Sequence, residues 1–253
     1  MYEAYWSLRE NPFRSGGHDR FHFAGRGQEE AQARLTYSLR SGRGMVLLTG
    51  RTGNGVTTAL ERFARGCDGR IIRNPACGTA EALEALASAL EAPAGGRAYD
   101  AVVKTIASMA SPVLLWDDAH LVAPQALEIL RLLCDIPCAG ETRLTAVIAG
   151  EVALEDKVHA TPALAGRVEI SFRLPPLEED ELKPYLETRL TAAGAGRPLF
   201  EDEAFSTIGF HAGGNPRRIN ALCDGALLLG ATEKVPMVTR DIIRRAAAEM
   251  ERS

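Results

Sequence analysis

Short apolar runs alternate with amphipathic stretches through the first two thirds of the chain, and amphipathic stretches alone fill the last third. "MVLLTG" at 45–50 is a continuous apolar run of the kind that forms a strand buried on both faces. "GRIIRNP" (69–75), "SPVLLW" (111–116), "RLTAVIAGE" (143–151) and "RVEISFRL" (167–174) predict four more strands. Between them lie helical patterns. Ala31, Leu35 and Leu39 share one helical face, which stops at Gly42 and Gly44, and helices are predicted over 57–67, 79–91, 99–110 and 124–135. A segment rich in polar residues separates the last two strands.

Strands and helices alternating at these lengths predict an α/β fold with a parallel, three-layer sheet. After "LPPL" the character changes: 178–193, 201–212, 216–230 and 238–252 all have helical patterning and no strand is evident. Pro175-Pro176 is the natural boundary. Residues 1–24 carry aromatic residues between turn signals (Asn11-Pro12, Gly16-Gly17) and predict an irregular arm packing on the core. The expected organisation is thus an arm over 1–24, an α/β core over 25–175 and a small helical domain over 176–253.

The first strand runs straight into "GRTGNGVTT" (50–58), and a helical pattern follows. Strand, glycine loop and helix form the context of a phosphate-binding loop, where backbone N–H groups converge on phosphate oxygens at a helix N-terminus. The pattern Gly-x-x-x-x-Gly-Lys-Ser/Thr is met at Gly50, Gly55 and Thr57, but Val56 stands where the lysine belongs. The candidate cradle is Gly50, Arg51, Thr52, Gly53, Asn54, Gly55, Val56, Thr57 and Thr58, with the Thr57 hydroxyl placed to hold Mg²⁺. The third strand ends in Asp117-Asp118. A carboxylate there can hold the same Mg²⁺ through water (Asp117), and the next one can polarise an attacking water (Asp118). An ordinary acidic turn is the competing reading of that pair.

These stretches carry a resemblance. "MYEAYWSLRENPF", "EEAQARLTYSLRSGRGMVLLTG", "LLWDDAH", "FRLPPLEEDEL" and "GGNPRRINALCDGAL" together cover most of the chain and resemble the AAA+ ATPases of the general secretion pathway protein A type, relatives of transposition and origin-recognition ATPases. The resemblance implies a P-loop NTPase core with a helical lid, and ATP or ADP with Mg²⁺ as ligands. It implies that Arg217 in "GNPRR" is the lid arginine that reaches the γ-phosphate. Arg167 in "LAGRVEI" falls near the origin of a finger offered to a neighbouring subunit, with ordinary surface charge as the alternative.

Three departures fall on the γ-phosphate side: Val56 for lysine, Asp118 for the usual glutamate, and the acidic Glu151 where a neutral polar sensor is usual. The family's C-terminal extensions are absent from these 253 residues. The expected function is a degenerate AAA+ module with weakened nucleotide binding and little or no hydrolysis, acting in assembly or regulation. The first alternative is an active ATPase in which Arg51 replaces the lysine. The second is a DNA-associated regulator.

Charge bears on the partners. The chain carries a net charge of -4, yet residues 1–73 hold 12 arginines against 7 acidic residues, and only four lysines occur in all. A basic N-terminal third fits phosphates or an acidic partner, while the acidic remainder disfavours DNA. Expected partners are copies of this chain, an active paralogue or other proteins. Five scattered cysteines outline no zinc set. No apolar run approaches the ~20 residues of a membrane span and no signal peptide opens the chain, so the expected location is the cytoplasm without direct membrane insertion.

Overall fold

The structure, a computed structural model, describes residues 2–14, 19–42, 44–67, 69–73, 78–140 and 142–252. The predicted Gly16-Gly17 turn and Asn74-Pro75 lie outside them. In chain order the elements are α1 (Glu3–Trp6), α2 (Arg26–Ser41), β1 (Met45–Gly50), α3 (Val56–Cys67), β2 (Arg70–Ile72), α4 (Thr79–Ala89), α5 (Ala98–Ser108), β3 (Val113–Trp116), α6 (Pro124–Leu133), β4 (Thr145–Glu151), α7 (Ala153–His159), α8 (Pro162–Ala165) and β5 (Val168–Leu174). Helices α9 (Glu179–Ala192), α10 (Asp202–Ala212), α11 (Pro216–Glu233) and α12 (Arg240–Met250) complete the chain. The polar segment before β5 thus forms the two short helices α7 and α8.

Two compact units result, one of residues 28–175 and one combining 1–27 with 176–253. The first is a five-stranded, all-parallel sheet in the order β2-β3-β4-β1-β5. Alternate residues of β1 enter different cores. Met45 and Leu47 pack with residues of α4, α5 and α6, among them Leu86, Ile106 and Leu130. Val46 and Leu48 pack with Ala31 and Leu35 of α2 and with Leu60 and Phe63 of α3. Helices therefore cover both faces of the sheet, which is why β1, β3 and nearly all of β4 are buried at every position. Strand β5 lies at the edge, and its burial alternates.

Just below the glycine loop a polar knot ties three elements. Thr49 is fully buried in β1, and its hydroxyl donates to Glu155 of α7. Glu155 also accepts from Arg173 of β5, whose Nε lies 2.9 Å from Oε1. The Arg173 guanidinium, followed by the Thr49 hydroxyl, holds the Glu155 carboxyl below its ordinary value despite partial burial.

The second unit corrects the reading of the N-terminal arm. Tyr2, Trp6, Leu8, Phe13 and Phe21 are buried in one core with Leu186, Ile208, Leu222, Leu227 and Ile243 of the four C-terminal helices. The arm is thus part of the helical unit. Trp6 donates through Nε1 to the Leu227 carbonyl at 2.9 Å, and Tyr2 donates to Asp224. Aromatic rings are the largest apolar surfaces available to a small bundle, and their polar tips need partners once buried. Helix α9 starts with a capping box, Glu178 with Glu181. Glu181 Oε1 also accepts the Arg26 backbone N–H at 2.6 Å.

"GGNP" is explained locally. Gly214 has φ +70°, and a Cβ there would lie 2.2 Å from the Leu177 carbonyl oxygen. Asn215 caps α11 by accepting from Arg218 N–H, and Pro216 takes the first helical position.

Two outcomes follow. Trp6→Ala removes a ring that is 2% exposed and is expected to destabilise the helical unit by roughly 3–5 kcal/mol in urea unfolding followed by circular dichroism. An arm that packs weakly gives less than about 1 kcal/mol in the same experiment. Because the folded Glu155 carboxyl titrates below 4.5, its stabilisation is present at neutral pH and is lost as pH falls through the folded value. Glu155→Gln should therefore melt below the parent at pH 7, with the gap closing progressively below pH 4.5. A gap that is the same at every pH contradicts this linkage.

Candidate functional site

All five strands run the same way, so their C-terminal ends share one edge, and the order reverses around β1 and β4. Crevices at such a reversal are the usual ligand sites of open α/β sheets. The loop 51–55 leaves β1 there, and α3 begins at Val56.

The loop's conformation needs its glycines. Gly53 has φ +87° and Gly55 has φ +98°, values that L side chains rarely adopt. A Cβ on Gly50 would lie 2.8 Å from Val56 Cγ2, so Val56 turns its side chain onto the strand end. Asn54 is 5% exposed and donates to the Leu174 carbonyl at 3.1 Å, pinning the loop to β5. Gln28 of α2 donates to the Gly55 carbonyl at 3.1 Å. With Asn54 N–H turned to the Arg51 carbonyl, the N–H groups of Gly53, Gly55, Val56, Thr57 and Thr58 have no acceptor among the described residues. These are the orphan donors of a helix N-terminus, concentrated on one loop.

The strand ends supply carboxylates. Asp117 is 2% exposed, accepts the Asp118 backbone N–H at 3.0 Å and lies near the Thr57 hydroxyl. Burial pushes its carboxyl above the ordinary value, and the Thr57 hydroxyl bond and Arg73 only partly oppose this. Asp118 follows in a left-handed conformation, φ +52°, with its side chain in solvent. Glu151 ends β4 directly beside Gly50 in the register. Its Oε1 accepts from the Thr52 hydroxyl at 2.5 Å. His120 Nδ1 accepts the Glu151 backbone N–H at 3.3 Å, which leaves the proton on Nε2, 4.0 Å from Glu151 Oε1.

The sequence-predicted residues divide clearly. Gly50 to Thr58, Asp117, Asp118 and Glu151 come together at one edge of the sheet. Thr57 and Asp117 are close enough for the Thr57 hydroxyl to lower the Asp117 carboxyl, as neighbours at a shared cation site would be. The Arg51 side chain is exposed, with no hydrogen bond or ion pair among the described residues. Arg167 is not part of this constellation: it precedes β5 at the opposite end of the sheet, about 20 Å from Gly50 at ~3.3 Å per residue. There it pairs with Asp135 at 2.6 Å. Arg217, in the helical unit, is exposed at the second position of α11 and makes no hydrogen bond or ion pair among the described residues.

Three site residues escaped the sequence. Gln28 braces the loop, and its Oε1 is buried without a hydrogen-bond partner. Arg73 lies with Nε 3.8 Å from Asp117 Oδ2 and bonds Glu61 of α3. Its position follows from register: Ile72 faces Trp116, so the next residues, Arg73 and Asp117, are neighbours. His120 stood inside "WDDAH" without a role, which only the Gly150–Glu151 backbone reveals.

The residues fit a phosphate ligand with a hard cation. Five unpaired N–H groups suit phosphate oxygens. A buried carboxylate beside a hydroxyl suits Mg²⁺. The loop offers no ammonium group.

Residues 39–158 match the family model described as an AAA domain. Over 265 aligned residues the chain is 29% identical to general secretion pathway protein A of Aeromonas hydrophila, covering 99% of this chain and 48% of that protein. It therefore spans about half the length of that curated relative. The Cdc6p structure from Pyrobaculum aerophilum superposes with TM-score 0.71 at 16% identity, over 98% of this chain and 70% of that one. The ORC2 protein of Aeropyrum pernix, solved as ADPNP-ADP complexes, superposes with TM-score 0.63 at 19% identity, over 88% and 66%. At these identities the solved structures establish the fold. The chain thus has the P-loop NTPase fold with a helical C-terminal region, carries a match to an AAA domain over residues 39–158, and is similar over nearly its whole length to general secretion pathway protein A.

Proposed function

We propose that the chain is a degenerate AAA+ module that binds adenine nucleotide through its backbone cradle, hydrolyses it very slowly or not at all, and serves assembly or regulation. The observation that carries this reading is Val56. It occupies the first turn of α3, where the lysine of the pattern belongs, and its methyl packs against Gly50 instead of facing phosphate.

The nucleotide's own chemistry is phosphoryl transfer, which depends on positioning and charge stabilisation. Toward it the chain supplies N–H donors from Gly53, Gly55, Val56, Thr57 and Thr58, while Thr57 and Asp117 would hold Mg²⁺. Asp118 is one methylene shorter than glutamate, and misplacement of about 1 Å costs on the order of 10²-fold in rate. Losing a charge-assisted contact costs about 1.5–3 kcal/mol, roughly 10- to 150-fold in affinity. The cradle therefore retains weakened binding, and turnover suffers more.

The proposed assembly is with copies of this chain or with an active paralogue. Arg167, half-buried and paired with Asp135 at the far end of the sheet from its own loop, fits a role toward a neighbouring subunit. No helix among the described residues is long and apolar enough to cross a membrane, and a cytoplasmic place is proposed with the module.

A second reading rests on Arg51, the exposed and unpartnered cation of the loop, as a substitute for the lysine in a working ATPase. Phosphate release with Mg²⁺ separates the two. The degenerate module gives release near background, no change in Arg51→Ala, and a gain of roughly tenfold or more in nucleotide affinity in Val56→Lys. Robust turnover that Arg51→Ala abolishes, and that Val56→Lys does not raise, contradicts it and establishes the second reading.

A further inference from the structure

We propose that the site, read as nucleotide-binding as above, selects nucleoside diphosphate over triphosphate, and that Glu151 sets this selectivity. Gly50 of β1 pairs with Glu151 of β4, so the Glu151 side chain emerges beside the loop. It is held there from two sides. Its Oε1 accepts from Thr52 of the loop at 2.5 Å. His120, 12% exposed in its side chain, fixes the Glu151 backbone through Nδ1 and stands 4.0 Å from the carboxylate through Nε2. The carboxylate itself is 47% exposed.

Phosphates of a bound nucleotide divide between two environments. The backbone N–H groups at the start of α3 suit the inner phosphates. A terminal phosphate whose cation Thr57 and Asp117 would hold would lie on the side of the loop where β3 and β4 end. There Asp117, Asp118 and Glu151 all carry carboxylates. Arg73 is engaged by Glu61 and Asp117, and Val56 brings no charge. Mg²⁺ held by Thr57 and Asp117 would offset Asp117. Glu151 is bonded only to the neutral hydroxyl of Thr52 and stands by the imidazole of His120, while Arg51, the loop's exposed cation, makes no ion pair with it. A like charge facing the last phosphate is a repulsive element that discriminates against triphosphate and leaves the diphosphate unaffected.

The test is isothermal titration of the full chain with ADP and with ATP, each with Mg²⁺. The parent is expected to bind ADP at least about tenfold more tightly than ATP. Glu151→Gln, which keeps size and hydrogen bonding, should tighten ATP and bring the ratio toward one. Glu151→Asp, which keeps the charge, should preserve the preference for ADP. Equal binding of the two nucleotides by the parent overturns the selectivity and leaves the nucleotide reading intact. A preference unchanged in Glu151→Gln overturns the role of Glu151. Absence of binding by either nucleotide at millimolar concentration fails the nucleotide reading, and this inference with it.

Discussion

The site depends on the burial of β1 on both faces. A strand with Met45 and Leu47 in one core and Val46 and Leu48 in the other can shift neither in register nor in tilt without exposing one of them. Fixing β1 fixes where Gly50 ends and where α3 begins. The five orphan N–H groups are therefore aimed by packing and need no ligand to assemble them. Thr49, fully buried at the last turn before the loop, adds a polar anchor through Glu155 and Arg173.

A backbone cradle combined with the proposed change of its charged groups has a simple physical basis. Backbone donors come with the strand–loop–helix geometry, so they persist as long as the fold persists. The lysine, the water-polarising carboxylate and the residue ending β4 are side chains, each replaceable without disturbing a core. Val56 goes further, because its methyl fills space against Gly50 and joins the cluster around Leu48 and Leu60. The same fold thus supports a phosphate cradle without the charge that accelerates transfer.

Much of this was legible in the sequence. The continuous apolar run 45–50 could only be a doubly covered strand, and "GNG" could only turn back into a helix because Gly53 and Gly55 accept positive φ. "LLWDD" placed Asp117 at a strand end, and proximity to Thr57 followed from the parallel sheet. What the sequence withheld depends on contacts between distant segments. Arg73 meets Asp117 only because β2 lies beside β3. The arm's place in the helical unit rests on Trp6 bonding to a residue 221 positions away. Glu151 looked like a lost neutral sensor, and only its bond to Thr52 shows it reaching the loop.

The central claim is that nucleotide is held by backbone N–H groups at the start of α3 and not by a charged side chain. Amide chemical shifts of a deuterated, ¹⁵N-labelled sample titrated with ADP and Mg²⁺ test it most directly. The account predicts the largest perturbations at Gly53, Gly55, Val56, Thr57 and Thr58, retained in Arg51→Ala. Perturbations that leave these five amides unmoved, or that vanish with Arg51, contradict it.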